Sequence, residues 1–377
     1  MQPESKMMRP LGWLASAGLL ALLVCPRSQA AEPGSLEETL ETLSADAAAS
    51  YLSPISSAFG ANLNSGWFRR APQAKKLGFS FEAGMVLMGS FFPTDAGHFS
   101  VNGDFRLSSS EANFLLDEME NQQGGALPSF VRDALIEEIT SQYTSVGISG
   151  ATVIGAASDS VTIAFPGATY SAYGLDYDVP AAAVKLPFGG FGDLADVPLL
   201  PLTVPQFSLG TFYGTNFTVR WLPAVELSPE LGDYKYSGFG IQHNPAIWMD
   251  RKLPVDLALS FFTQSMKVGN LFDCKATAFG VTASKQWGWR FLNLTPYAGF
   301  LLESAEMGVT YDLMVPVPVS ALYPDGVYTE KVDITLESEN SSRLVLGTNL
   351  RLGIVNWNLD YSLAKYSGFS TGISLAF

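Results

Sequence analysis

Five charged residues fall on the polar face of period-two segments: Arg220, Asp256, Arg343, Arg351 and Asp360. Each neighbours an apolar side chain that points to the other face, because successive residues of a strand alternate. In a membrane barrel the polar face lines the lumen. There the five predict either a network of paired charges in the lumen wall or a constriction that selects solutes by charge. The sequence does not fix their heights, so both hypotheses stay open.

The two histidines, His98 and His243, give little sign of catalysis. A catalytic histidine needs a nucleophile on one ring nitrogen and a carboxylate on the other, and neither accompanies a Gly-x-Ser-x-Gly motif. No His/Cys cluster has zinc spacing, no acidic twelve-residue calcium loop occurs, and no glycine-rich phosphate loop opens a helix. We therefore expect no enzymatic activity, no cofactor and no metal. A barrel enzyme that uses His243 is the alternative.

The elements that position these residues are strands. Apolar and polar residues alternate in segments 216–221, 255–261, 292–300, 343–352 and 356–363. These segments are six to ten residues long, and the longer ones reach the roughly 9–11 residues of a tilted membrane strand. The polar face is rich in Gly, Ser, Asn and Arg, unlike a water-exposed sheet. Tryptophans near the predicted strand ends are typical of interfacial girdles: Trp221, Trp248, Trp287, Trp289 and Trp357. The pattern predicts an all-β protein, a transmembrane antiparallel β-barrel of about 14 strands (range about 12–16). A soluble sandwich is the alternative.

The last seven residues, 371–377, predict the closing strand of such a barrel. Ile373, Leu375 and Phe377 point to one face, and Gly372 and Ser374 point to the other. A strand with one apolar face that ends in an aromatic residue suits a membrane barrel. Gly372, Leu375 and Phe377 resemble the signal by which bacterial outer-membrane barrels are recognised for insertion.

Residues 1–30 predict a secretory signal peptide. Lys6 and Arg9 precede an apolar run over 11–24, and small residues lead to cleavage after Ala30, with Ala31 as the alternative. Removing them changes the net charge from 22 − 36 = −14 to 19 − 35 = −16. Such a charge excludes nucleic acid as a natural partner. Only Cys274 would remain in the processed chain, which excludes an internal disulfide.

The N-terminal part of the processed chain is not strand-like. Ser35 and Glu38 have the spacing of a capping box, and the apolar stripe that follows predicts a helix ended by Pro54. Small polar residues over 56–66 favour a segment packed inside a lumen. We predict a helix and plug-like segment over 31–76 and a barrel over 77–377. The barrel contains a helical insertion at about 108–150 and a Pro/Gly-rich loop at about 180–205.

Several blocks carry a family resemblance: Tyr51-Leu52-Ser53-Pro54, 61–67, 204–210, 238–243 and 253–256. They resemble an uncharacterised family of predicted bacterial outer-membrane β-barrel proteins, a domain of unknown function, over most of residues 36–377. The order of signal peptide, helix, small-residue segment and strands is also similar in outline to the fatty-acid transport outer-membrane barrels, whose N-terminus plugs the barrel. That second likeness is one of architecture, and fold alone does not fix function.

The pattern and the resemblance imply a protein of the outer membrane of a Gram-negative bacterium. We expect a passive, porin-like channel for hydrophobic or small amphipathic solutes, with residues 31–76 as plug and 108–150 as a gate. The alternative is a non-transporting surface or scaffold barrel that binds a partner through its loops. The expected partners are outer-membrane lipid, the barrel-assembly machinery during insertion, and a hydrophobic small-molecule ligand.

Overall fold

The computed structural model describes residues 36–156, 158–185, 190, 199–228, 232–250, 253–269, 272–289, 291–316 and 327–377. The predicted signal peptide and its cleavage site at Ala30 lie outside these residues. No helix in the described part of the chain is both long and apolar enough to cross a membrane.

The described elements are strands with three α-helices and one short 3-10 helix at Pro245–Trp248. In chain order they are α1 (Leu36–Leu63), β1 (Leu77–Phe91), β2 (His98–Arg106), α2 (Ser109–Gln123), α3 (Ser129–Ser141), β3 (Tyr143–Ala151), β4 (Thr162–Phe165), β5 (Ala168–Ala172), β6 (Leu175–Val179), β7 (Ala182–Lys185), β8 (Leu199–Phe212), β9 (Thr215–Ser228), β10 (Gly232–His243), β11 (Asp256–Val268), β12 (Phe272–Ser284), β13 (Trp287–Trp289), β14 (Leu292–Pro316), β15 (Val327–Glu337), β16 (Ser342–Leu352), β17 (Val355–Leu363) and β18 (Gly368–Ala376).

Ten antiparallel strands close into a barrel in the order β1-β8-β9-β10-β11-β12-β14-β16-β17-β18. The ring closes where β18 pairs with β1, from Glu82 opposite Ala376 to Ser90 opposite Gly368. The predicted number of about 14 strands, and the predicted range, are too high. The difference arises because β2 to β7 pair among themselves, while β13 and β15 pair only with β14 outside the ring.

The barrel wall reverses its polarity along the strands. At one end of β14 the outward residues Leu294 and Phe300 are exposed, while inward Asn293 is buried. Towards the other end, outward Glu306 is exposed and inward Met307 is buried. The same change occurs in β11. At one end its outward residue Leu259 is apolar and its inward residue Ser260 is polar, and at the other end outward Lys267 is charged and inward Val268 is apolar. The wall therefore carries outward apolar side chains at one end, the outward band, and outward charged side chains such as Lys267 and Glu306 at the other end, the rim.

Residues 92–198 leave the barrel between β1 and β8, and their described part forms a separate outer module. It contains the sheet β2-β3-β4-β7, the hairpin β5–β6 and the helices α2 and α3. Ser108 and Glu111 form a capping box at the start of α2. Val131, Leu135 and Ile139 of α3 lie in the module's own hydrophobic core. The predicted insertion at about 108–150 therefore contains two helices, and its apolar stripe packs as core.

Two predictions about proline are wrong. Helix α1 continues through Pro54 to Leu63, because the turns after the proline bury Ile55, Phe59 and Leu63. The predicted loop over 180–205 contains β7 and the first residues of β8. Pro201 and Pro205 are tolerated in β8 because it pairs with β9 only from Gln206 onwards, so one edge needs no amide donors there.

Candidate functional site in the barrel interior

The chain between α1 and β1 passes through the inside of the barrel. Residues 55–73, the inner segment, comprise the last turns of α1 and the stretch that follows it. Its buried apolar side chains are Ile55, Ala58, Phe59, Ala61, Leu63, Trp67, Phe68 and Ala71. Its polar side chains bond to the wall: Asn62 Oδ1 accepts from Ser90 on β1 (2.7 Å), and Asn64 Oδ1 accepts from Gln264 on β11 (2.6 Å). The inner segment therefore bonds to strands in different parts of the ring.

Ser65 lies between two buried arginines. Arg220 Nη1 donates to the Ser65 carbonyl oxygen (2.9 Å), and Arg343 Nη1 donates to Ser65 Oγ (2.5 Å). Arg343 Nη2 also donates to the carbonyl oxygen of Ala61 (2.9 Å). The two arginines reach the segment from β9 and β16, so the segment is held from two sides by charged donors, which make the stronger hydrogen bonds.

Each arginine has a different partner in the wall. Arg343 pairs with Glu303 of β14 through two short contacts, Nε to Oε2 (2.8 Å) and Nη2 to Oε1 (2.9 Å), in a forked geometry. Arg220 donates from Nε to Gln206 Oε1 (2.8 Å), and its guanidinium lies 4.0 Å from the ring centroid of Trp67. A buried cation needs such compensation, because desolvation alone would cost several kcal/mol.

Trp67 and Phe68 form the aromatic core of the barrel. Trp67 stacks on Phe262 of β11 with ring centroids 4.9 Å apart, and Phe68 meets the same ring edge-on at 5.6 Å. Glycines in the wall make room for them: a methyl group at Gly240 would fall 2.9 Å from the Trp67 ring, and one at Gly299 would fall 2.4 Å from the Phe68 ring. The small inward residues of the strands therefore match particular side chains of the inner segment.

A second charged cluster lies where the inner segment approaches β1. Glu82 of β1 pairs with Arg69 (3.0 Å) and with Arg70 (2.8 Å), and its side chain is only 9% exposed. Arg69 also donates to Ser208 and Ser374. This cluster fastens the end of the inner segment to three neighbouring strands, β18, β1 and β8.

The other predicted lumen residues lie apart from Ser65. Asp360 is buried and accepts from Tyr297 and Ser370, both at 2.8 Å. Arg351 is partly buried and donates to the carbonyl oxygens of Gly353 and Ala376. Asp256 is partly buried and accepts from Asn244 (3.4 Å). All five face inward, but Ser65 brings together only Arg220 and Arg343.

The groups that complete this site were not predicted from the sequence. Ser65, Trp67 and Glu303 contact Arg220 or Arg343. Glu82 contacts Arg69 and Arg70 instead. None of these four residues was predicted as part of a site. Glu82 and Glu303 lie at inward positions of alternating strands, so their alternation was a usable signal. Ser65 had no such signal, because it is 278 residues from Arg343 in the chain.

The histidines occupy surroundings without a catalytic arrangement. His243 lies between Thr215 Oγ1 (2.9 Å from Nδ1) and Trp248 Nε1 (3.3 Å from Nε2). His98 approaches Asp159 at 3.3 Å on the exposed surface. No group of three or more His, Cys, Asp or Glu residues that could hold a metal occurs in the ranges described.

The three residues of the predicted insertion signal close the barrel. Gly372 faces inward, and a methyl group there would fall 2.6 Å from Asn358 Oδ1. Leu375 and Phe377 face outward and are exposed. The backbone of Phe377 exchanges two hydrogen bonds with Phe81 of β1, N to O 2.9 Å and O to N 3.3 Å.

A family comparison covers nearly the whole chain. A family of unknown function, DUF6588, matches residues 8–377. The chain belongs to this family. The match to DUF6588 confirms the resemblance to a domain of unknown function. No curated protein matches the chain.

Solved structures show remote likenesses to this DUF6588 chain. A bacterial polysaccharide outer membrane secretin has 6% identity and a TM-score of 0.23, over 78% of this chain and 98% of the secretin. OmpTdeltaL8, a loop deletion mutant of an outer membrane protein of Vibrio cholerae, has 10% identity and a TM-score of 0.20, over 79% of this chain and 99% of the mutant. The barrel assignment itself rests on the strand pairing described above.

Proposed function

We propose that this chain is a bacterial outer-membrane β-barrel, closed by its own inner segment as a plug, that serves as a non-transporting platform for the outer module. The main observation that supports this proposal is that Ser65 bonds to both Arg220 and Arg343, which lie on opposite sides of the barrel. A barrel of about eight strands has an interior just wide enough for side chains. Ten strands leave little more, and the plug uses that space.

The outer surface supports a place in the outer membrane. The outward band carries exposed Leu, Phe, Ile and Trp side chains, which hydrocarbon would cover at no desolvation cost. Exposed Tyr213, Trp248, Trp287 and Trp289 lie at one edge of the barrel, as in interfacial girdles. We propose outer-membrane lipid as the partner of this band, and the barrel-assembly machinery as a transient partner of the strand that ends at Phe377.

The plug is bonded like a core element. Its removal would leave the Arg343–Glu303 pair without Ser65 and Ala61, and Arg220 without the Trp67 ring. Breaking one buried charged contact typically costs about 3–5 kcal/mol. Because most proteins are stable by only about 5–15 kcal/mol, we propose that the plug stays in place.

A channel for hydrophobic or small amphipathic solutes is the second candidate. The favouring observation is the wall near the rim, where inward Val86, Leu202 and Met266 are apolar and pack with α1. If α1 moved away, this surface would accept an apolar solute. The two candidates differ in whether solute flux requires the plug to move.

A reversible cross-link separates the two candidates. Asn62 and Ser90 meet inside the barrel with their oxygens 2.7 Å apart, so cysteines at both positions, in a Cys274→Ala background, should form a disulfide. Conductance is then recorded in planar bilayers with the protein oxidised and reduced. The platform predicts no conductance in either form. Conductance of the reduced form alone would support the channel and contradict the platform.

We also propose that the chain is not an enzyme. In support, His243 has a threonine and a tryptophan as its neighbours instead of a nucleophile and a carboxylate. A lipid-hydrolysis assay that compares the unaltered chain with a His243→Ala variant tests this. Activity that disappears in the variant would overturn the proposal.

A further inference from the structure

A cleft opens where α1, the outer module and the rim of the barrel meet. Its volume is about 510 Å³, within the range of about 300–1,000 Å³ that small-molecule sites occupy. The lining residues include Ser50 and Ser53 from α1, His98 and Ser100 from the outer module, and Glu337 and Tyr366 from the rim. Hydroxyl groups thus come from three different parts of the fold.

One carboxylate in the cleft, that of Glu339, is already hydrogen-bonded and ion-paired within the protein. Glu339 accepts hydrogen bonds from Ser53 (3.1 Å) and Tyr366 (3.3 Å) and forms an ion pair with Lys365. The Glu339 amide donates to Ser57 Oγ (3.1 Å). Glu339 therefore ties α1 to the rim, and Lys365 compensates its charge.

Two other carboxylates in the lining are exposed and make no ion pair among the described residues. Neither Asp95 nor Glu337 has a cation within ion-pair distance among the described residues. Counting its lysine and carboxylate side chains, the lining carries Lys365 against three carboxylates, a net charge of 1 − 3 = −2. A concave surface with this balance attracts a cation and repels an anion.

We propose that this cleft binds a small organic cation that carries an ammonium group and hydroxyl groups. Asp95 and Glu337 supply the charge that an ammonium group needs, and the hydroxyls of Ser50 and Ser100 can donate to or accept from its hydroxyl groups. The cleft volume admits a molecule of the size of an amino sugar. This ligand differs in polarity from the apolar solute of the channel hypothesis.

Occupancy has a consequence for the plug. A ligand in the cleft touches α1 and the rim together, and α1 continues into the inner segment. A ligand that binds the closed arrangement stabilises it. Bound cation should therefore slow amide hydrogen exchange over residues 55–66. This part rests on the proposed closure, whereas binding itself does not.

Isothermal titration of the full chain in detergent micelles tests the binding. The probes are glucosamine, ethanolamine and spermidine, with glucose as the neutral match to glucosamine. We expect glucosamine to bind at least tenfold more tightly than glucose. An Asp95→Asn/Glu337→Gln variant should lose at least tenfold in affinity, while a Glu137→Gln variant, altered at an exposed carboxylate of α3 outside the cleft, should not.

Three results would overturn the proposal: equal affinity for glucose and glucosamine, an unchanged affinity in the double variant, or no binding of any of the three cations. Binding without slower exchange over 55–66 would retain the ligand site and contradict the effect on closure. Because conductance plays no part in either measurement, failure here is distinct from failure of the proposed platform function.

Discussion

Arg220 and Arg343 face each other across the barrel and bind the same residue, Ser65. Their strands, β9 and β16, are five positions apart in both directions around the ring of ten. Ser65 contributes its carbonyl oxygen to one and its hydroxyl to the other. The two arginines thus connect opposite walls through the inner segment, which makes the segment a structural cross-brace of the barrel.

The buried ion pair Arg343–Glu303 should stabilise the fold only when both partners are present. We expect Arg343→Met to destabilise the protein by about 3–5 kcal/mol, because Glu303 then stays buried without a partner. An Arg343→Met/Glu303→Met variant should recover most of that loss. Urea unfolding in micelles, followed by tryptophan fluorescence, measures it. The exposed pair Lys267–Asp273 provides the control, since Lys267→Met should cost at most about 1 kcal/mol. Equal losses at both pairs would contradict this account.

Two tryptophans offer a matched comparison of the interior and the outer surface. Trp67 is 2% exposed and Trp357 is 48% exposed. We expect Trp67→Ala to cost about 3–5 kcal/mol, because it leaves a cavity beside Phe262 and removes the ring over Arg220. Trp357→Ala should cost clearly less in the same urea titration. A larger loss at Trp357 would mean that the outward face is the core.

The sequence predicted the wall better than its contents. Alternation identified β11, β14, β16 and β17 and their outward faces, because that periodicity is local. The predicted strand number was too high because β2 to β7 pair among themselves, and β13 and β15 pair only with β14 outside the ring. The composition of 56–66 indicated a packed interior segment, but not that Ser65 meets arginines from two walls. Such contacts join residues more than 150 positions apart.

The polarity change along β14 predicts where a charge is tolerated. Phe300 and Ser304 face outward on the same strand, one in the apolar band and one towards the rim. We expect Phe300→Arg to lower the stability of the bilayer-inserted barrel by about 2–4 kcal/mol, and Ser304→Arg to change it by about 1 kcal/mol or less. Urea titration in lipid bilayers measures both. Equal losses of stability would contradict the expectation that the edge of the hydrocarbon lies between Phe300 and Ser304.

The last residue should matter for insertion more than its neighbours on the same face. Phe377 pairs with Phe81 through the backbone and leaves its ring exposed. On the proposal that the barrel-assembly machinery recognises the aromatic terminus, we expect Phe377→Ser to lower the fraction of chains assembled in the outer membrane several-fold. The folded fraction is measured by heat-modifiable electrophoretic mobility. Phe291→Ser, at another exposed phenylalanine, serves as the control and should retain assembly.

Residues 92–198 should be removable without loss of the barrel. The β1–β8 register ends with Phe91 opposite Leu199, so a short turn can join the two strands directly. The outer module has its own core, including Leu116, Leu135 and Ile163, and does not complete the ring. We expect the shortened chain to keep heat-modifiable mobility and to lose some stability, because α1 would lose its contact with the module through Tyr51 and Phe99. A shortened chain that fails to form a barrel under conditions where the full chain folds would show that the module is part of the folding unit. In that case the module could not be an independent domain displayed by the barrel.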